Sequence, residues 1–285
     1  MKTLILTTPG NFSQTDTDSD TFVEDNEVLL KIHRIGICGT DYHAYRGKQP
    51  FFSYPRILGH ELGAEIVAVG ADVTHVQIGD RVSVEPYLNC GVCQACRSGK
   101  SNCCEKIKVL GVHSDGGMRE FLKVPGDKVY PSKTLSYEQL ALVETLGIGS
   151  HAVNRAQVQA NDLVLVIGAG PIGLSVIQFA KLKGAQVVVM DMNAARLAFC
   201  QQQLGVDATI LLQQIDPIDA IRNALDDDLP TAVFDATGNP ASMMQAFKYV
   251  AHGGRLTFVG LFQGDVTFND PEFHRREITL LASRN

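Results

Sequence analysis

One stretch limits this chain more than any other: Leu163-Val-Leu-Val-Ile-Gly-Ala-Gly-Pro-Ile-Gly173, with Asp191 eighteen residues further on. Five apolar, mostly β-branched residues in a row read as a strand buried on both faces, as in a parallel sheet. Gly168, Gly170 and Gly173 follow as a G-x-G-x-x-G turn. Residues 171–183 then read as a helix, with Pro171 tolerated in its first turn. The first glycine permits the tight turn, the second lets backbone approach a pyrophosphate, and the third lets helix pack on strand. The helix N-terminus adds free N–H groups and partial positive charge. A second strand, 186–190, ends at Asp191, whose carboxylate suits an adenosine ribose and repels a 2′-phosphate. The reading is a dinucleotide site selective for NAD, built on Gly168, Gly170, Pro171, Ile172, Gly173 and Asp191.

From residue 161 the pattern alternates. Strands are expected at 163–167, 186–190, 208–212, 231–235, 255–259 and 278–282, with helices between the first five. That is a doubly wound parallel sheet. The preceding half reads as short strands, among them 2–8, 27–37 and 81–85, and Asn11–Asp20 reads as a polar exposed loop. A chain of 285 residues accommodates two domains, and the division is expected near residue 150, giving 1–150 and 151–285. Ser136-Tyr-Glu-Gln139 matches a capping box opening a helix near that border.

Composition excludes several function classes. The formal net charge is −6 and the lysines and arginines are scattered, which speaks against a nucleic-acid partner. Leu163–Ala180 is uncharged and close to membrane-spanning length, but three glycines and a proline divide it into strand and helix. The apolar run at the N-terminus is too short for a signal peptide. The expectation is a cytoplasmic chain with no membrane partner.

Seven cysteines are present: Cys38, Cys90, Cys93, Cys96, Cys103, Cys104 and Cys200. An odd, clustered set argues for metal rather than disulfides. Cys90, Cys93 and Cys96, with Cys103 or Cys104, can close a tetrahedron around Zn²⁺ at about 2.3 Å with no open position. Such a site is structural, holding a lobe of about residues 86–108 that lacks its own core. Cys200 lies inside an expected helix and reads as core. Cys38, His60, Glu61 and Glu144 form a second candidate set, since sulfur, imidazole and carboxylate together suit zinc. They are scattered, so spacing alone does not join them, and each has an ordinary structural explanation.

Gly36-Ile-Cys-Gly-Thr-Asp41, Gly59-His-Glu-x-x-Gly63, the four-cysteine spacing and the later G-x-G-x-x-G occur here in one order. In that order the chain resembles the zinc-dependent medium-chain dehydrogenases over essentially its whole length. The resemblance implies a GroES-like, mostly-β catalytic domain followed by a Rossmann domain. It also implies an oxidoreductase using NAD and two Zn²⁺ per chain. Under it Cys104 is the fourth thiolate, Cys38 and His60 are direct ligands of a catalytic zinc, and Glu61 and Glu144 share its remaining positions. Thr40 contacts the substrate hydroxyl and His43 forms the outer end of a proton relay. Arg196, Ala236, Thr237, Val259 and Gly260 are further cofactor contacts.

Glu144, followed by His151 seven residues on, resembles the sorbitol dehydrogenase branch, although Thr145 stands where that branch carries proline. Phe51–Arg56, Asn102–Ile107 and Asp270–His274 resemble bacterial sugar-acid dehydrogenases of the L-galactonate type. The implied substrate is a sugar acid or a polyol, oxidised at a secondary hydroxyl. Tyr42, Phe51, Phe52 and Arg56 are candidate pocket residues, and Arg56 or Lys48 is a candidate partner for a substrate carboxylate. The family implies a homodimer or homotetramer, with Val266–Phe268 as a candidate interface strand. Its members continue several tens of residues further and return to the catalytic domain. A chain stopping at Asn285 is therefore expected to be truncated, and the alternative function is an NAD- and zinc-binding remnant without turnover.

Overall fold

Alternating burial along five strands builds the first half of the molecule. The computed structural model describes residues 1–18, 21–49, 52–212 and 216–284. It divides into two compact units, Met1–Glu144 and Thr145–Asn285. In the first unit the strands are β1 (Lys2–Thr8), β2 (Asn11–Asp16), β3 (Glu27–Gly36), β4 (Glu61–Val69), β5 (Arg81–Val84), β6 (Tyr87–Leu88), β7 (Lys108–Val109), β8 (Phe121–Pro125) and β9 (Val129–Pro131). Two short helices, α1 (Gly39–Tyr45) and α2 (Gln94–Arg97), interrupt them, and α3 (Tyr137–Arg155) runs across the division. Five strands form an antiparallel sheet in the order β8-β3-β4-β5-β9. Val28 and Leu30, Leu62, Ala64 and Ile66, Val82 and Val84, and Leu122 and Val124 share one buried cluster. Each set keeps the two-residue period of a strand with one face inward.

The expected loop at Asn11–Asp20 is corrected in its first part: residues 11–16 are β2, paired antiparallel with β1. All six side chains of β2 are exposed, so the strand is held by backbone pairing and carries no alternation to reveal it. Ser19 and Asp20 lie outside the described residues.

The second unit alternates strand and helix: β10 (Leu163–Ile167), α4 (Pro171–Leu182), β11 (Gln186–Asp191), α5 (Ala194–Leu204), β12 (Ala208–Leu211), α6 (Pro217–Ala224), β13 (Ala232–Asp235), α7 (Pro240–Ala246), β14 (Arg255–Phe258), α8 (Asp270–Arg275) and β15 (Thr279–Ala282). The sheet is wholly parallel, in the order β12-β11-β10-β13-β14-β15. Val164 and Val166 pack with Val176, Ile177 and Cys200 on one face. Leu165 and Ile167 pack with Ile221, Ala246 and Phe247 on the other. Two helical layers therefore explain the unbroken apolar run of β10. Truncating Leu165 to alanine is worth about 2–5 kcal/mol at such a site.

The helix after Ser136 starts as the sequence indicated. Ser136 N–H donates to Gln139 Oε1 at 2.9 Å, and Gln139 N–H donates to Ser136 Oγ at 3.3 Å. Within the single chain Val266–Phe268 pair with no other strand. Phe268 stacks on Phe247, with centroids 4.7 Å apart. No helix among the described residues is long and apolar enough to cross a membrane.

Candidate active site

In the first unit the pairing of β3 with β4 puts Gly36 opposite Glu61. Chain direction then places Cys38 just past the end of β3 and His60 just before β4. Cys38, His60 and Glu61 bring one ligand atom each to within 4.8 Å of one another. Gly36 makes that possible, because a Cβ there would lie 2.0 Å from Glu61 Oε2. Gly63 admits α3, because its Cβ would lie 2.0 Å from the Tyr137 carbonyl oxygen. Glu144, two helical turns further along α3, is brought down to the same pocket.

The pocket is anionic and dry. Asp41, His60, Glu61 and Glu144 are 4%, 5%, 7% and 9% exposed. So many ionisable groups taken from water together need a compensating charge. Burial alone favours neutral His60. The hydrogen bond to Cys38 and the charges of Cys38, Asp41 and Glu144 outweigh it and raise the imidazole to about 9. Burial also raises the carboxyls of Asp41 and Glu144. Sulfur, nitrogen and oxygen donors that together attract positive charge suit Zn²⁺. His60 Nδ1 and Asp41 Oδ1 are buried without hydrogen-bond partners, 3.9 Å apart. A carboxylate beside an imidazole is the arrangement that orients a metal-binding histidine.

Asp41, Gly36 and Tyr87 are site residues that the sequence reading missed. Asp41 Oδ2 accepts from the Cys38 N–H at 2.9 Å, fixing the start of α1 around the cysteine. Tyr87 donates its hydroxyl to Glu144 Oε1 at 2.5 Å. The signal for Asp41 was its place in Gly-Thr-Asp after Cys38. For Tyr87 there was none, since its partner is 57 residues away. Thr40 and His43 lie one turn apart on α1, Thr40 half-buried and His43 exposed.

Candidate pocket residues fare differently. Arg56 donates to Asp115 Oδ1 at 3.2 Å and to Ser53 Oγ at 2.8 Å, so its charge is already engaged. Phe52 packs edge-on against Tyr54 beside Leu6, Ala44 and Leu58. Tyr42 and Lys48 are exposed. Phe51 lies outside the described residues.

The second cluster comes from a short, nearly unstructured segment. Cys90, Cys93, Cys96 and Cys104 bring their sulfurs within 4.8 Å of one another. Cys104 is buried and Cys103 is exposed and outside the group. Backbone N–H groups of Cys96 and Glu105 lower Cys93 to about 6, while burial raises Cys96 to about 11. Four converging sulfurs fit a closed zinc site. Asn89 Nδ2 reaches Cys96 Sγ at 3.9 Å and its Oδ1 accepts from the buried Lys128 at 3.0 Å. The same lysine pairs with Glu85 at 2.9 Å. All seven cysteines are free of disulfides.

In the second unit the cofactor candidates sit at the carboxyl ends of the strands on either side of the β10/β13 switch, where ligands bind in such sheets. Gly168 adopts φ +98°. Gly170 faces open space, and a Cβ on Gly173 would lie 1.8 Å from the Gly168 carbonyl oxygen. Pro171 and Ile172 occupy the first turn of α4. Asp191 ends β11, and its two oxygens accept from the Ala169 and Asn193 N–H groups at 2.6 and 2.7 Å. Its carboxylate thus braces the glycine turn from the neighbouring strand. Ala236 N–H donates to the Ile167 carbonyl at 2.9 Å. The buried Asp235 holds Thr237 through both its N–H and its hydroxyl, at 2.9 and 2.6 Å. Val259 and Gly260 donate to the Asp235 carbonyl at 2.9 Å each. Arg196 is exposed in the first turn of α5. An open turn, crowded only where helix meets strand, fits a pyrophosphate.

Comparison with known proteins identifies the family. Residues 24–134 match the alcohol dehydrogenase GroES-like domain, and residues 171–285 match the zinc-binding dehydrogenase domain. The chain belongs to the zinc-type medium-chain alcohol dehydrogenase family, oxidoreductases acting on CH–OH donors. It is 47% identical to L-galactonate-5-dehydrogenase of Escherichia coli (strain K12), over 92% of this chain and 76% of that one. Sorbitol dehydrogenase of Bacillus subtilis (strain 168) is 35% identical over 90% of this chain and 75% of its own length. Among solved structures, an alcohol dehydrogenase, RspB, from E. coli CFT073 complexed with NADH superposes with a TM-score of 0.93. It is 31% identical, covering 100% of this chain and 83% of that one.

Proposed function

We propose that this chain oxidises a secondary hydroxyl of a sugar acid of the L-galactonate type to a ketone, passing hydride to NAD. The observation that carries the reading is the Cys38–His60–Glu61 donor set in a chain 47% identical to an L-galactonate-5-dehydrogenase. Zinc bound by Cys38, His60 and Glu61 supplies Lewis acidity toward the substrate hydroxyl, and NAD supplies the hydride acceptor. Thr40 Oγ1 accepts the hydroxyl proton as it passes its own on towards the His43 ring, one turn along α1 and exposed, which releases a proton to water. Asp41 places its charge 3.9 Å from His60 Nδ1 and fixes Cys38 through its backbone N–H. Backbone N–H groups of the Gly168–Gly173 turn and of the start of α4 hold the pyrophosphate. Asp191 accepts from the adenosine ribose and disfavours a 2′-phosphate. The Cys90, Cys93, Cys96 and Cys104 site holds a second, structural zinc.

A second reading, a polyol dehydrogenase, is favoured by the likeness to sorbitol dehydrogenase. The experiment is NADH formation by the zinc-loaded chain across L-galactonate, other sugar acids, polyols and simple alcohols. Turnover strongest with sugar acids is expected. Turnover with polyols alone moves the assignment to the second reading, and no turnover with any of them overturns both.

A further inference from the structure

Two carboxylates, Glu61 and Glu144, reach the pocket that holds Cys38 and His60, and the structure treats them differently. Glu61 is seated over Gly36, where any side chain would displace its Oε2. Its ligand atom joins Cys38 and His60 within 4.8 Å, and Glu144 is not part of that group. Glu144 is close enough to feel the charges of both His60 and Glu61, yet its Oε1 is engaged by the Tyr87 hydroxyl at 2.5 Å. Charge-assisted hydrogen bonds of that length between oxygens are strong and directional.

Tyr87 is itself firmly placed. It opens β6, paired through Tyr87–Val109 and Leu88–Lys108 with β7. Two residues on, Asn89 contacts Cys96 and Lys128, and the next residue, Cys90, belongs to the four-sulfur cluster. The cysteine lobe therefore anchors the short strand that presents the tyrosine.

We propose that Tyr87 is a positioning residue that holds the Glu144 carboxylate out of the catalytic metal's ligand set, leaving Glu61 as the carboxylate ligand. The inference rests on the reading that Cys38, His60 and Glu61 bind zinc. It assigns the cysteine lobe a part in the chemistry, since the lobe carries the strand on which Tyr87 sits. Without the hydroxyl, Glu144 is free to compete for the metal.

The test uses Co²⁺ in place of zinc, because its visible ligand-field bands report donor set and geometry. Spectra are recorded for the parent chain and for Tyr87→Phe, Glu144→Gln and the double variant, with NADH affinity and turnover measured alongside. The Glu144→Gln spectrum is expected to match the parent, because Glu144 is not a ligand. Tyr87→Phe is expected to shift the bands of the open site, and the double variant to restore them. Turnover of Tyr87→Phe falls roughly 10- to 100-fold, as for other losses of a group that orients ligands, while NADH affinity is unchanged. A Glu144→Gln spectrum unlike the parent overturns the proposal, as does a Tyr87→Phe spectrum identical to it or a double variant that keeps the shifted bands. Cys38→Ser separates the underlying reading: a chain that still takes up two Co²⁺ with unaltered bands removes the metal assignment itself.

Discussion

The two donor clusters of the first unit differ in every respect that decides what a metal can do. Four sulfurs within Cys90–Cys104 lie within 4.8 Å of one another, and all four come from one short segment with one turn of α-helix and one of 3-10 helix. Cys38, His60 and Glu61 are three unlike donors from the end of one strand and the start of another, in a pocket less than a tenth exposed at His60 and Glu61. A closed set holds a lobe together; a set of three protein donors keeps a position for substrate. Rigidity is also divided between them. The four sulfurs stand on a segment with little regular structure, whereas Cys38, His60 and Glu61 stand at the ends of two strands of a five-stranded sheet.

That contrast is sharpest in a pair of serine substitutions. Cys38→Ser is expected to abolish turnover, by roughly a thousandfold or more given the several kcal/mol a Lewis acid contributes, while NADH binding and thermal stability stay at the parent level. Cys104→Ser is expected to do the reverse in kind, losing one zinc and several degrees of thermal midpoint as the lobe around residues 86–108 loosens. Metal analysis and thermal unfolding check both. Equal effects of the two substitutions on stability would erase the distinction.

Gly36→Ala tests the open site without touching a donor. The added methyl meets Glu61 Oε2 at 2.0 Å and pushes the carboxylate aside, so metal affinity at that site falls roughly 10- to 100-fold, measured by competition with a chromophoric chelator. The closed site keeps its zinc.

Asp41→Asn acts one step further out, and pH exposes it. In the metal-free chain His60 holds its proton up to about 9, against an ordinary value of 6.5. That proton stabilises the fold fully below 6.5 and is lost as pH rises through about 9. Metal must displace it, so affinity at the open site climbs with pH and levels off near 9. Removing the Asp41 charge moves the levelling-off to lower pH and costs about tenfold in affinity. A pH profile identical to the parent would show that Asp41 does not govern His60.

The smallest effect is expected in the second unit, at a residue that belongs to neither donor cluster. Asp191→Ala removes acceptors for the Ala169 and Asn193 N–H groups and the group proposed to meet the ribose. NADH affinity falls roughly tenfold, the scale of one hydrogen bond to a charged group, and the preference over NADPH erodes. Fluorescence titration with both cofactors measures it, and both zinc ions stay in place.

How far the sequence revealed this molecule follows the same division. The dinucleotide turn was legible because β10, the three glycines and β11 are consecutive, and each does its work through the backbone. The cysteine lobe was legible for the same reason. Cys38, His60 and Glu61 carry no spacing that joins them, and only resemblance proposed them as a set. The supporting residues lay deeper: Gly36 matters through its register with Glu61, Asp41 through a distance to His60, Tyr87 through a partner on α3. None of these relations is a property of neighbours in the chain. β2 escaped notice because a strand exposed on every side chain has no pattern to read.

Graded zinc removal tests the central claim most directly. The zinc-loaded chain is titrated with a chelator while released metal, NADH formation and thermal stability are followed together. Because the three-donor site holds its metal less completely, turnover is expected to disappear in step with the first zinc released, while stability falls only with the second. Turnover that persists through loss of the first zinc, or stability that collapses with it, would contradict the assignment of an open catalytic site and a closed structural one.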